Sequence, residues 1–378
     1  MTGGFFRGRH SASALILLII AFCTFAVLLM NPDIAIGYVR QGLRLCAKTV
    51  IPSLFPFMVL SGMFVELGCA DLLSRIFAKP MAFLFGISGA GSAAPLMGAL
   101  CGFPVGAATA KRLCDSGRIS GEEMERLLTF SNNPSSAFLI SAVGSTLWSC
   151  PDFGVVLYVI QIIASIVIGV AFRFLMPIKK NEDHHFSEQR QTIGVRIFSK
   201  VIAESAVSML NVCALVLFFA SMVGALVSVI ESFGTGQLLK TFIYGFFEMT
   251  GATGEAAKIL PKETGMVITA LICGWSGLSV HFQVISICSD KNISFAPYFA
   301  AKAMQGLLSA LAMLGYIKLI DTSLPLACVP ALAAYGEGNR GNTAFAIAAN
   351  TVLVISLLFH FLPRLFHRFF VHGGGQAK

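Results

Sequence analysis

The sequence predicts an all-α, polytopic membrane protein made of two inverted-topology repeats, each with a glycine-rich re-entrant helical hairpin. Three observations predict it. Residues of the types AVILMFWYC fill 56% of the 378 positions and charged residues only 12%, about half the charged share of soluble domains. Several charge-free runs reach the ~20 residues needed to cross a hydrocarbon core about 30 Å thick. The order of apolar, glycine-rich and short charged stretches also recurs on either side of one polar segment, Pro177 to Lys200.

Residues 1–36 hold the first apolar run, Ala14 to Met30, behind Arg7 and Arg9. No small-x-small cleavage site follows it, and Asn31-Pro32-Asp33 ends it, so it reads as a membrane helix or uncleaved anchor rather than a signal peptide. Residues 37–177 form the first repeat, with spans at about Ile51 to Gly68, Phe130 to Trp148 and Phe153 to Met176. Between the first two lies Met81 to Ala110, charge-free but carrying Gly86, Gly89, Gly91, Gly98, Gly102, Gly106, Pro95 and Pro104. Breakers that dense oppose one straight span and suit a re-entrant hairpin, which is tolerated at membrane depth only where protein or a cavity covers it. Residues 178–200 form a cytoplasmic linker. Its His184-His185 pair, next to Glu182 and Asp183, reads as solvated charge rather than a metal site. Residues 201–320 form the second repeat, with spans at Ala203 to Ile230, Met266 to Ser289 and Phe295 to Tyr316, and Phe242 to Lys262 as the hairpin counterpart. Residues 321–378 add a loop, the membrane helix Thr343 to Leu362 and a basic tail.

With both termini in the cytoplasm, the two hairpins enter from opposite faces. Lysines and arginines then fall about two to one on the inner side, among them Lys111, Arg118, Lys179, Arg196 and Lys291, against an outer set that includes Lys240, Lys258 and Lys262; that bias has the expected sign. Arg40, Arg44 and Lys48, four apart, depart from the pattern and suit an amphipathic helix along the membrane surface. The net charge of +8 arises from residues between apolar runs, with no basic cluster interleaved with aromatics, so no nucleic-acid partner is expected. The ten cysteines are scattered singly without a CxxC pair or a histidine at ligand spacing, which predicts no disulfide and no metal. No nucleophile motif, P-loop, Rossmann fingerprint or HExxH is present, so neither an enzyme nor a cofactor is expected. The expected partners are the lipid bilayer and a small-molecule substrate. A homo-oligomer is left open.

Broken helices in inverted repeats place half-helix ends near the bilayer midplane, where they hold substrate, and a helix N-terminus suits an anionic group. Gly102, Pro104 and Gly106 with Asn132, Asn133, Ser135 and Ser136 form the candidate substrate site of the first repeat. Helix capping and interhelical hydrogen bonding are the competing role for the asparagines. Thr250, Thr253, Ser276 and Ser279 are the second repeat's candidates, beside Gln283. Glu248, Glu255 and His281 are ionisable groups in apolar surroundings and are candidates for ion coupling, with pairing to Lys258 or Lys262 as the plainer role for the two acids. Lys111 and Lys258 end the paired glycine-rich stretches and are candidates for anion attraction or for interfacial anchoring.

The run Thr49-Val-Ile-Pro-Ser-Leu-Phe-Pro-Phe57, then Gly102-Phe-Pro-Val-Gly106, Ser116-Gly-Arg-Ile-Ser120 and Phe130-Ser-Asn-Asn-Pro-Ser135, resembles the YlbJ (SpoVV) sporulation integral membrane proteins. These belong to the wider nucleoside-recognition gate group, which includes parts of nucleoside and ferrous-iron transporters. The resemblance covers roughly Arg40 to Tyr316. It implies a cell-membrane transporter, with the outer forespore membrane as a specific location, moving dipicolinic acid during spore formation. Gly102 to Gly106 and Ser131 to Asn133 match the family's motif. The expected function is transport of a small organic anion. The alternatives are a nucleoside or other small-metabolite permease of the same architecture, and a non-transporting membrane scaffold of sporulation.

Overall fold

A computed structural model describes residue 25 and residues 32–178 and 195–319, apart from 233 and 235. The runs Ala14 to Met30 (bar Phe25) and Thr343 to Leu362, and the His184-His185 pair, lie outside the described residues. Among the described residues the regular structure is all helical. In chain order the helices are α1 (Pro32–Leu45), α2 (Ile51–Glu66), α3 (Cys69–Pro80), α4 (Ala93–Cys101), α5 (Val105–Asp115), α6 (Gly121–Ser131), a π-helix (Ala137–Leu147), and α7 (Pro151–Leu175). The second part contains α8 (Val195–Ser232), α9 (Gln237–Phe247), α10 (Met249–Ile259), α11 (Lys262–Trp275), α12 (Gly277–Ile287) and α13 (Ala296–Leu319).

Among the described residues, four stretches are long and apolar enough to cross a membrane: Pro151–Leu175, Arg196–Gly224, Lys262–Ile287 and Ala296–Leu319. Their outer faces carry apolar side chains at helical spacing, such as Ile163, Val167 and Phe174 on α7 and Val207, Leu210 and Phe218 on α8, all largely exposed. Polar residues such as Gln161, Lys302 and Gln305 are buried instead. An exposed apolar stripe around a polar interior is what a lipid solvent favours. The chain is a multi-pass membrane protein.

The glycine-rich region departs from one straight run. Leu72–Phe85 and Gly89–Cys101 meet at 93°, the bend of a broken span or re-entrant loop. The predicted span Phe130 to Trp148 is also broken: α6 stops at Ser131, and Asn132–Ser136 runs without regular structure into the π-helix save for one helical residue at its end. Met266 to Ser289 is interrupted at Ser276 between α11 and α12. Helix α8 begins at Val195, inside the stretch read as linker.

Local chemistry explains these ends. Ser120 and Glu123 form a reciprocal capping box that starts α6, satisfying two N–H groups the helix would leave open. Glu123 also accepts from Ser88 N at 2.6 Å, tying the bend of the glycine-rich region to that helix. Arg126, 2% exposed, donates to Phe85 O and Gly86 O at 2.9 Å each and to Met176 O. One guanidinium thus gathers the carbonyls at the ends of two helical segments.

The same order appears on both sides of the linker. Helix, break, helix, turn, helix, break, helix and a long final helix describe α4 to α7 and, again, α9 to α13. The turn after α5 lies near the end of α12, because Lys111 pairs with Asp290 at 2.9 Å. The turn before α11 lies against the far end of the π-helix, where a side chain on Gly265 would come within 2.7 Å of Trp148.

Candidate functional site

In the first half the two breaks face each other. Phe103 N donates to Asn133 O at 2.9 Å. Gly102 has φ +80, and a Cβ there would lie 2.6 Å from Ser135 N, so only glycine lets the strands of the break approach. At Gly106 a Cβ would lie 2.1 Å from Ser131 O. Pro104 is buried just before α5. Across the gap Asn132 Oδ1 accepts from Ala107 N at 2.9 Å, which caps the third residue of α5 with a side chain from another element. Asn133 Nδ2 donates to Phe130 O at 2.9 Å. Ser135 Oγ accepts from Phe138 N at 3.1 Å and starts the π-helix, while Ser136 is buried beside it.

The second half pairs its breaks as well. Trp275 Nε1 donates to Phe246 O at 3.0 Å, and a Cβ on Gly277 would meet Phe247 O at 3.1 Å. Glu248 caps α10 with both carboxylate oxygens, accepting from Thr250 N at 2.8 Å and Gly251 N at 2.6 Å. The N-terminus of α10 is therefore already capped by a carboxyl side chain of the chain itself. Thr253 Oγ1 donates to Thr250 O at 2.8 Å, and Ser276, at φ 75, donates from Oγ to Cys273 O at 3.2 Å. Ser279 and Gln283 are buried on α12. His281, 0% exposed, shares a 2.9 Å hydrogen bond between Nδ1 and Tyr298 OH, and its Nε2 has no partner among the described residues. The rings of Trp275, Tyr298 and Phe299 surround it.

The two pairs of breaks are neighbours. Phe103 from the first packs into the cluster of Met249, Ala252 and Ile272 from the second. At the first of these breaks α7 and α13, one from each half, bring together a polar network that sequence reasoning missed. Lys302 Nζ donates to Asn132 O and to Gln305 Oε1, each at 2.8 Å. Gln305 Nε2 donates to Asn133 Oδ1 at 2.8 Å and to Gln161 Oε1 at 3.2 Å. Gln161 Nε2 donates to Ala270 O at 3.0 Å. The signal available in the sequence was a lysine and a glutamine three residues apart, hence on one face, within the apolar run Phe295 to Tyr316.

The remaining candidates lie elsewhere. Lys111 pairs with Asp115 at 2.7 Å and Asp290, and Asp115 also meets Lys291 at 2.5 Å. Glu255 lies 4.0 Å from Lys240, and Lys258 is exposed. Among the described residues no cluster of three or more His, Cys, Asp or Glu side chains is arranged to hold a metal.

The chain is similar to the sporulation integral membrane protein YlbJ of Bacillus subtilis (strain 168), with 26% identity over 332 residues, 78% of this chain and 81% of that one. The likeness supports the YlbJ family assignment. No family model and no solved structure matches the chain. The chain pairs irregular backbone with a buried network of amides and a lysine, both placed between apolar membrane-length helices.

Proposed function

We propose that the chain is a membrane transporter of a small organic anion, with dipicolinic acid in spore formation as the first substrate to test. The observation that carries this reading is the meeting of two paired helix breaks, one of which bears the network of Asn132, Asn133, Gln161, Lys302 and Gln305. Irregular backbone survives at membrane depth only where protein or a cavity covers it, and polar groups placed there mark a solute path. The recurring order of elements supports two repeats. Their opposite entry is supported by the two hairpin turns, one beside Asp290 and the other beside Trp148. The relative's name as a sporulation membrane protein supplies the setting.

Gly102, Pro104 and Gly106 bring the first break close, and Asn132, Asn133, Ser135 and Ser136 present its polar groups; Thr250, Thr253, Ser276 and Ser279 do the same in the second. Glu248 and His281 stand beside that second break and are the groups through which an ion would couple. The test is uptake of labelled dipicolinate and a labelled nucleoside, in parallel, by purified protein in liposomes. The Asn132→Ala, Asn133→Ala double variant should insert normally and lose about tenfold in dipicolinate flux, the effect of one or two hydrogen bonds. Equal flux from the variant would remove the site. Uptake of the nucleoside alone would transfer the reading to a neutral-metabolite permease, and uptake of neither would leave a scaffold.

A further inference from the structure

Lys302 is fully buried, yet no carboxylate oxygen lies within 4.0 Å of its ammonium among the described residues. An ammonium has three donors and no acceptor. Two of the donors are engaged, by Asn132 O and Gln305 Oε1. Gln305 cannot turn its amide around, because its Nε2 faces Asn133 Oδ1 and Gln161 Oε1. The ammonium is thus held in one place by neutral oxygens, with one donor left over. Asn132, whose backbone carbonyl Lys302 holds, carries a second buried donor, Nδ2, without a partner among the described residues, on a side chain only 1% exposed. The orientation of that amide follows from its Oδ1, which accepts from Ala107 N.

In its protonated form Lys302 has one unanswered donor and no counter-ion among the described residues, and with the unanswered Asn132 amide at the broken end of α6 it has a specific complement. It is an anionic group that carries acceptor oxygens only. A carboxylate meets both conditions. Leaving a buried charge unpaired is costly, so a site of this composition is completed by its ligand.

We infer that Lys302 is the anion-binding residue of the site, holding a carboxylate of the solute between its ammonium and the Asn132 amide nitrogen. The inference rests on the transport reading above and adds to it the group that selects for charge. Lys302 sets the preference for anion over neutral solute, and Gln305 and Gln161 fix its position.

The test uses the full chain in phosphatidylcholine vesicles, comparing uptake of labelled pyridine-2,6-dicarboxylate with that of its uncharged diamide. The natural chain should favour the dicarboxylate. Lys302→Gln should lower the ratio of dicarboxylate to diamide uptake by at least about tenfold, and Lys302→Arg should keep it. A merely structural lysine would reduce both solutes alike, so an unchanged ratio in Lys302→Gln overturns the assignment and leaves transport standing. Absence of uptake of both solutes by the natural chain overturns the assignment together with the transport reading. If the glutamine protein is not monodisperse in detergent, the arginine protein decides: a retained ratio supports the assignment, and a collapsed ratio in monodisperse protein overturns it.

Discussion

Asp115 sits between two ammonium groups at the end of α5, Lys111 at 2.7 Å and Lys291 at 2.5 Å. Partial burial disfavours its charge, but hydrogen bonds and attraction from both lysines outweigh that and hold the carboxyl below the usual range. The hydrogen bond to Asp115 pushes Lys291 upward. A lowered carboxyl contributes stability that is present above its unfolded value of about 3.9 and is lost as pH falls through the lower folded value. A raised lysine contributes below its unfolded value of about 10.4 and loses that contribution as pH rises through the higher folded value. The cluster should therefore leave the thermal midpoint of the detergent-purified protein level from about pH 5 to 9. Its side chains are partly exposed, which keeps the effect small. Asp115→Asn should lower the midpoint at neutral pH and make the fall below about pH 4 shallower. An acid limb identical to that of the natural protein would show that the cluster contributes nothing. The sequence marked Lys111 through its place at the end of a glycine-rich stretch, but its partner Asp290, and Lys291 that pairs with Asp115, are distant in the chain, and only the fold brings them near.

Helix ends are where elements are joined in this fold, and Arg126 is the clearest joint. It reaches from α6 to the carbonyls of Phe85, Gly86 and Met176, at the ends of segments far apart in sequence. Buried carbonyls without donors cost about 1–3 kcal/mol each. Arg126→Met keeps the volume and removes all the donors, so it should lower stability by about 2 kcal/mol or more, seen as an earlier thermal transition with the glycine-rich bend more open to proteolysis. An unchanged transition would mean that water already serves these carbonyls. Hydropathy read the long helices α7, α8 and α13 well, because a charge-free run of sufficient length has few other homes. It read straight through the breaks at Asn132–Ser136 and at Ser276, since the apolar run continues across both. There the signal was the polar residues themselves: Asn132-Asn133-Pro134 and Ser276-Gly277 interrupt a run that would otherwise be uniform. Lys302, Gln305 and Gln161 escaped notice because they are isolated polar positions in convincing spans, and their meaning depends on partners from the other half.

At the scale of the whole molecule, the arrangement of the two hairpins relative to the membrane decides how a solute could pass. Helices α11 and α12 begin at the turn beside Trp148 and end three residues before Asp290, which pairs with Lys111 at the other hairpin's turn. The pair Lys262–Ile287 contains 26 residues, about 39 Å of helix at 1.5 Å per residue if straight, enough to cross the hydrocarbon core of about 30 Å. Two turns at opposite ends of such a segment should face opposite aqueous sides. On the proposed topology, the lysine and arginine bias would put the turn holding Arg118, with Glu122 just after it, inside and the turn holding Pro261 outside. Glu122 and Pro261 are both exposed, so each accepts a reporter without entering the core. In a cysteine-free background, Pro261→Cys should react with a membrane-impermeant maleimide on intact cells, and Glu122→Cys only after the membrane is opened. Parallel repeats would label both from the same side, and that result would remove the alternating-access geometry on which transport through paired breaks depends.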